Sequence, residues 1–106
     1  MITTEEILDL LSALILDLGA IREKTPDATD RAAINNQIMA LTKLWRKIDD
    51  VRASESYEQL TEPKAALEAI SKDLKKEKKK LDNVAKVIYR AAQAIAIAEK
   101  VVKFVA

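Results

Sequence analysis

Residues 67–106 read LEAISKDLKKEKKKLDNVAKVIYRAAQAIAIAEKVVKFVA, and the architecture turns on how this stretch is parsed. Positions 67, 70, 74, 77, 81, 84, 88, 91, 95, 98, 102 and 105 form a 3-4 heptad series, and each is Leu, Ile, Val or Ala except Glu77. A series of this length predicts one continuous helix over 63–105, about 64 Å long, packed in coiled-coil fashion. The alternative is a break near 81–83. Lys78, Lys79 and Lys80 would then close one helix against its dipole, and Asp82 or Asn83 would cap the next. No glycine or proline marks that turn, so the continuous helix is the first expectation and the four-helix bundle the second.

Upstream, Thr25-Pro26-Asp27 and Thr61-Glu62-Pro63 are the strong breaks. The first segment opens with Thr3 and Glu6 in capping-box spacing. Ile7, Leu8, Leu11, Leu14, Ile15, Leu18 and Ile21 then recur at helical intervals, with Leu16 on the opposite side, which predicts a helix over 4–24. In the second segment Ile34, Ile38, Leu41, Trp45 and Ile48 keep 4-3-4-3 spacing, predicting a helix over 27–56. The chain therefore reads as one all-α domain, 1–106, of three long helices in an antiparallel bundle or coiled-coil hairpin. In that topology residues 48–75 form a two-helix tip, and Glu5, Glu6 and Asp9 face the lysines of 75–80.

That facing arrangement comes from the charge layout. Residues 1–30 carry seven acids and two bases, whereas 71–106 carry ten bases and four acids. A net charge of +1 over the whole chain thus conceals two ends that can neutralise each other. The lysine run is distributed all round a helix and has no nearby arginine or aromatic for base contact, so no nucleic-acid partner is expected.

Composition excludes much chemistry. Without histidine or cysteine there is no imidazole base, no thiolate and no ordinary zinc site, and one glycine cannot build a phosphate-binding loop. Asp49 and Asp50 diverge by about 100° on a helix, which is the wrong geometry for chelation or acid–base pairing. The stretch Leu44–Asp50 is similar over seven residues to the Arg/Asp pattern of small helical chorismate mutases. It lacks that family's further arginines and falls on the wrong helix. The expectation is a non-enzymatic chain with no cofactor and no metal. Neither a membrane span nor a secretory leader is expected, because the longest uncharged stretch of the C-terminal segment is short and the N-terminus is acidic. The expected location is cytoplasmic.

Function is then expected from a helical surface: a protein–protein interaction module such as a small regulator, an adaptor, or an antitoxin- or immunity-like inhibitor, acting by helix-face docking on a protein partner or on itself. Trp45, Leu81, Ile88, Ile95 and Val102, on the heptad faces, are the candidate interface residues. The alternative is a membrane-active or lipid-binding helical protein of the pore-forming type. Seventeen of the 23 residues from 84 to 106 are apolar and share the helix with a cationic stripe, so Lys86, Tyr89, Arg90 and Phe104 are the candidate lipid contacts.

Overall fold

The computed structural model describes residues 1–51 and 56–105. Helix α1 runs Thr4–Lys24, α2 Ala28–Val51, α3 Thr61–Lys79 and α4 Val84–Val105. Two short strands, β1 (Ile2–Thr3) and β2 (Ser56–Tyr57), pair antiparallel with Ile2 opposite Tyr57, and a 3₁₀ turn over Glu58–Leu60 leads into α3. The all-α expectation holds, as a four-helix bundle.

The capping box at the start of α1 is present. Glu6 N donates to Thr3 Oγ1 at 3.2 Å, and Thr3 N donates to Glu6 Oε2 at 2.8 Å, so two otherwise orphaned amides are satisfied. The same Glu6 carboxylate meets Lys64 at 3.3 Å. The backbone hydrogen bond from Thr3 first, then the hydrogen bond from Lys64, holds its carboxyl below the usual glutamate range.

The continuous third helix is not what forms. Lys80 is extended (φ −147°, ψ 107°), and residues 80–83 turn the chain back on itself. The cause is Glu77, the single exception in the heptad series. Its buried carboxylate accepts the backbone N–H of Asp82 at 2.9 Å and of Asn83 at 3.0 Å. Asn83 Oδ1 in turn accepts Lys86 N at 3.0 Å and caps α4. Side chains thus do the work that a glycine or proline does in other turns. The second helix also ends earlier than the predicted 56: it reaches Val51, residues 52–55 lie outside the described residues, and Ser56 and Tyr57 are extended.

Two antiparallel hairpins build the bundle. In the first, Trp45 Nε1 donates to Leu8 O at 3.0 Å and Arg22 Nη1 to Asn35 Oδ1 at 2.6 Å. In the second, Asp73 on α3 binds Arg90 at 2.8 Å and Lys86 at 4.0 Å on α4. The hairpins lie side by side. α1 packs on α3 with Glu6 near Lys64 and Asp17 near Lys78, which makes those helices parallel, and α2 packs on α4 with Gln37 Nε2 donating to Ile88 O at 2.8 Å. Round the bundle the order is α1, α2, α4, α3, so the chain from α2 to α3 joins opposite corners.

This order overturns the two-helix tip and the pairing of the acidic N-terminus with the lysine run. Leu67, Ile70 and Leu74 are in the core with Leu11, Leu14, Leu18, Ile34, Leu41 and Ile48. Glu6 meets Lys64, and it is Asp17 that meets the lysines, with Lys78 at 3.2 Å and Lys75 at 3.6 Å. The reason is register. With the chain turned back at 80–83, α3 packs along α1 from its own start, so Lys64 stands at Glu6 and the lysine-rich C-terminal end of α3 lies beside Asp17, further along α1 than the acids of its first turns.

Candidate interaction surface

Residues at 3.6 per turn advance by about 100°, and the hydrogen bonds between helices fix which side of each helix points outward. On α1, the core side is set by Ile7, Leu11, Leu14 and Leu18, and the flank toward α3 by Glu6 and Asp17. Asp9, Ala13, Leu16 and Ala20 fall on the outward side. On α2, with Ile34, Leu41 and Ile48 inward and Trp45 toward α1, the outward side carries Met39, Lys43 and Arg46.

Leu16 is 73% exposed and Met39 61% exposed. Both lie outward on the same hairpin. The pairs Leu8–Trp45 and Arg22–Asn35 set its antiparallel register, and interpolation between them puts Leu16 level with Met39. Two large apolar side chains at one height on one face form the centre of a patch. Asn36, Ile38, Ala40 and Thr42 line a surface groove of about 580 Å³ beside Met39, with Lys43 and Arg46 on its rim.

Charge on this face is divided by helix. The outward acids Glu5 and Asp9 belong to α1, and Lys43 and Arg46 belong to α2. None of these four takes part in an ion pair among the described residues. Asp49 and Asp50, exposed and adjacent about one turn beyond Arg46, are the acids of α2 toward its end.

The residues expected at an interface are placed differently. Ile88, Ile95 and Val102 come together on the side of α4 that faces α2, Trp45 lies in the α1–α2 seam, and Leu81 lies in the α3–α4 turn; all five are half-buried against the core. Of the residues expected to contact lipid, Lys86 and Arg90 are engaged by Asp73. Phe104 sits edge-on to Tyr57 with ring centroids 5.2 Å apart, while Tyr89 is exposed and accepts a hydrogen bond from Gln93. Sequence reading placed Leu16 off the apolar stripe without using it, and passed over Met39. The available signal was an isolated large apolar residue on the polar side of each of two neighbouring helices.

Among the described residues no group of three acidic, histidine or cysteine side chains is arranged to hold a metal, and no helix is long and apolar enough to cross a membrane. No protein-family model matches the chain, and no curated protein and no solved structure matches it either.

Proposed function

We propose that this protein is a non-enzymatic protein–protein interaction module that docks a partner on the outward face of the α1–α2 hairpin. The observation that carries the reading is the pairing of Leu16 and Met39, both more than half exposed and level on adjacent helices. Leaving them in water costs free energy in proportion to their apolar area, and covering them recovers it. Methionine adapts its shape to a partner. The unpaired charges around the pair supply a polar rim, which gives orientation and rate more than affinity. In this reading Trp45, Leu81, Ile88, Ile95 and Val102 keep the helices at their spacing, and so act on docking only through the scaffold.

The test is a double variant, Leu16→Asp with Met39→Asp. Both side chains are exposed, so the fold should survive, as helical circular dichroism and an unchanged denaturation midpoint would verify. Proteins retained by the immobilised full chain should be lost from the variant, with retention down at least about tenfold. Retention equal to that of the unaltered chain would remove the proposal.

A further inference from the structure

The structure assigns a partner to this face, resting on the docking proposal above: a second copy of the same chain, related by a two-fold axis that runs parallel to the helices. The argument is charge complementarity under symmetry. A two-fold in the plane of the interface has two simple orientations over an antiparallel helix pair. If it runs across the helices, α1 covers the partner's α1. The outward acids Glu5 and Asp9 then belong to a helix covered by its own acidic copy, and Lys43 and Arg46 to one covered by its own basic copy.

If the axis runs along the helices, height is preserved and the two helices exchange places. Helix α1 of one copy then covers α2 of the other. Leu16 meets the partner's Met39, and Met39 meets the partner's Leu16, because the two are level within one chain. Asp9, by the same register, lies opposite the stretch between the partner's Lys43 and the partner's Arg46. Every such contact occurs twice. The acidic helix is thus matched to the basic one, and four helices of alternating direction form the centre of the dimer. The half-buried Ala13 and Ala20 flank Leu16 and leave room for close approach.

The test is a charge exchange on the full chain, read by sedimentation equilibrium over a wide concentration range. The unaltered protein should behave as a dimer. Asp9→Arg places an arginine of each copy against the partner's basic pair, and Arg46→Glu places acid against acid, so each should weaken dimerisation at least about tenfold. An equimolar mixture of the two variants should form a mixed dimer, seen by native mass spectrometry, since each variant then complements the other. A monomer at every concentration, undiminished dimers of both variants, or a mixture that stays monomeric overturns the second copy as partner. Failure of the docking face itself reads differently: the protein dimerises, yet Leu16→Asp leaves the dimer intact. Conversely, a monomeric chain whose capture of other proteins still depends on Leu16 and Met39 refutes the second copy and leaves the docking face standing.

Discussion

Glu77 Oε1 accepts the backbone N–H of Asn83 at 3.0 Å, while its other oxygen accepts the N–H of Asp82, so one buried carboxylate closes the turn between α3 and α4. Two amides that would otherwise lack a partner in the turn are satisfied by a charged acceptor, which is the stronger kind.

Glu77→Ala should therefore destabilise the protein by about 2–3 kcal/mol, because it removes the two charge-assisted bonds that close the turn. Urea denaturation with unchanged slope and a lowered midpoint is the expected result. Glu77→Leu completes the heptad series and should cost a similar amount in the compact chain, with a shift toward an extended or exchanged dimer in sedimentation velocity. An unmoved midpoint in both variants would show that the turn forms without this residue.

Asp17 is 4% exposed between Lys75 and Lys78; Lys78 binds its Oδ1 at 3.2 Å, while its Oδ2 accepts no hydrogen bond and has the Lys75 ammonium 3.6 Å away. A buried carboxylate is tolerated there because two cations face it from α3. Removing both, by Lys75→Met with Lys78→Met, should cost about 3 kcal/mol, since the charge stays buried without compensation. Asp17→Leu removes the charge itself and should be close to neutral or stabilising, read from the same denaturation curves. If the two variants lose equal stability, packing rather than charge governs the site.

The capping box predicts a pH dependence. Glu6 in the folded chain has its carboxyl held below the ordinary value of 4.5, first by the Thr3 backbone bond and then by Lys64. The unfolded chain therefore takes up this proton at higher pH than the folded one. Its contribution is fully present above the ordinary value and is lost as pH falls through the lowered one. Stability curves of the unaltered protein and Glu6→Gln should be separated at neutral pH and converge in acid. Parallel curves down to the acid end would mean the charge contributes nothing.

Lys86 and Arg90 are held by Asp73, and Phe104 is seated on Tyr57. Two of the four cations of α4, with its terminal aromatic, are thus engaged within the bundle, and the helix must break those contacts before lying on lipid. The folded protein should accordingly stay with the aqueous fraction in co-flotation with both neutral and anionic liposomes. Salt-sensitive flotation on anionic lipid alone would favour the membrane-active alternative over the docking proposal.

The helical class, the α1 boundaries and the capping box were legible because they depend on neighbours within a turn. Thr3 and Glu6 are three residues apart, and the 3.6-residue recurrence of Ile7, Leu11, Leu14 and Leu18 needs no knowledge of what they pack against. The exposed apolar patch proposed for docking was only half legible. Leu16 stands out from its helix by periodicity alone, but its level neighbour Met39 becomes meaningful only once the register between α1 and α2 is known.

By itself the sequence determined that the chain is helical, where α1 begins and ends, and which chemistry it lacks. Tertiary structure decided the rest, and α4 shows why. In that helix the series 84, 88, 91, 95, 98, 102, 105 is wholly apolar, and so is 87, 91, 94, 98, 101, 105. Either can serve as a core face. The structure buries Val87, Ala91, Ala94, Ala98 and Val101 and leaves Val84, Ile88, Ile95 and Val102 at the α2 side. The choice is made by the Glu77 turn, which frees α4 from the phase of α3, and by Asp73, which draws Arg90 and one flank of the helix toward α3. Periodicity reports that a face is apolar, whereas the neighbours that compete to cover it determine which face is buried.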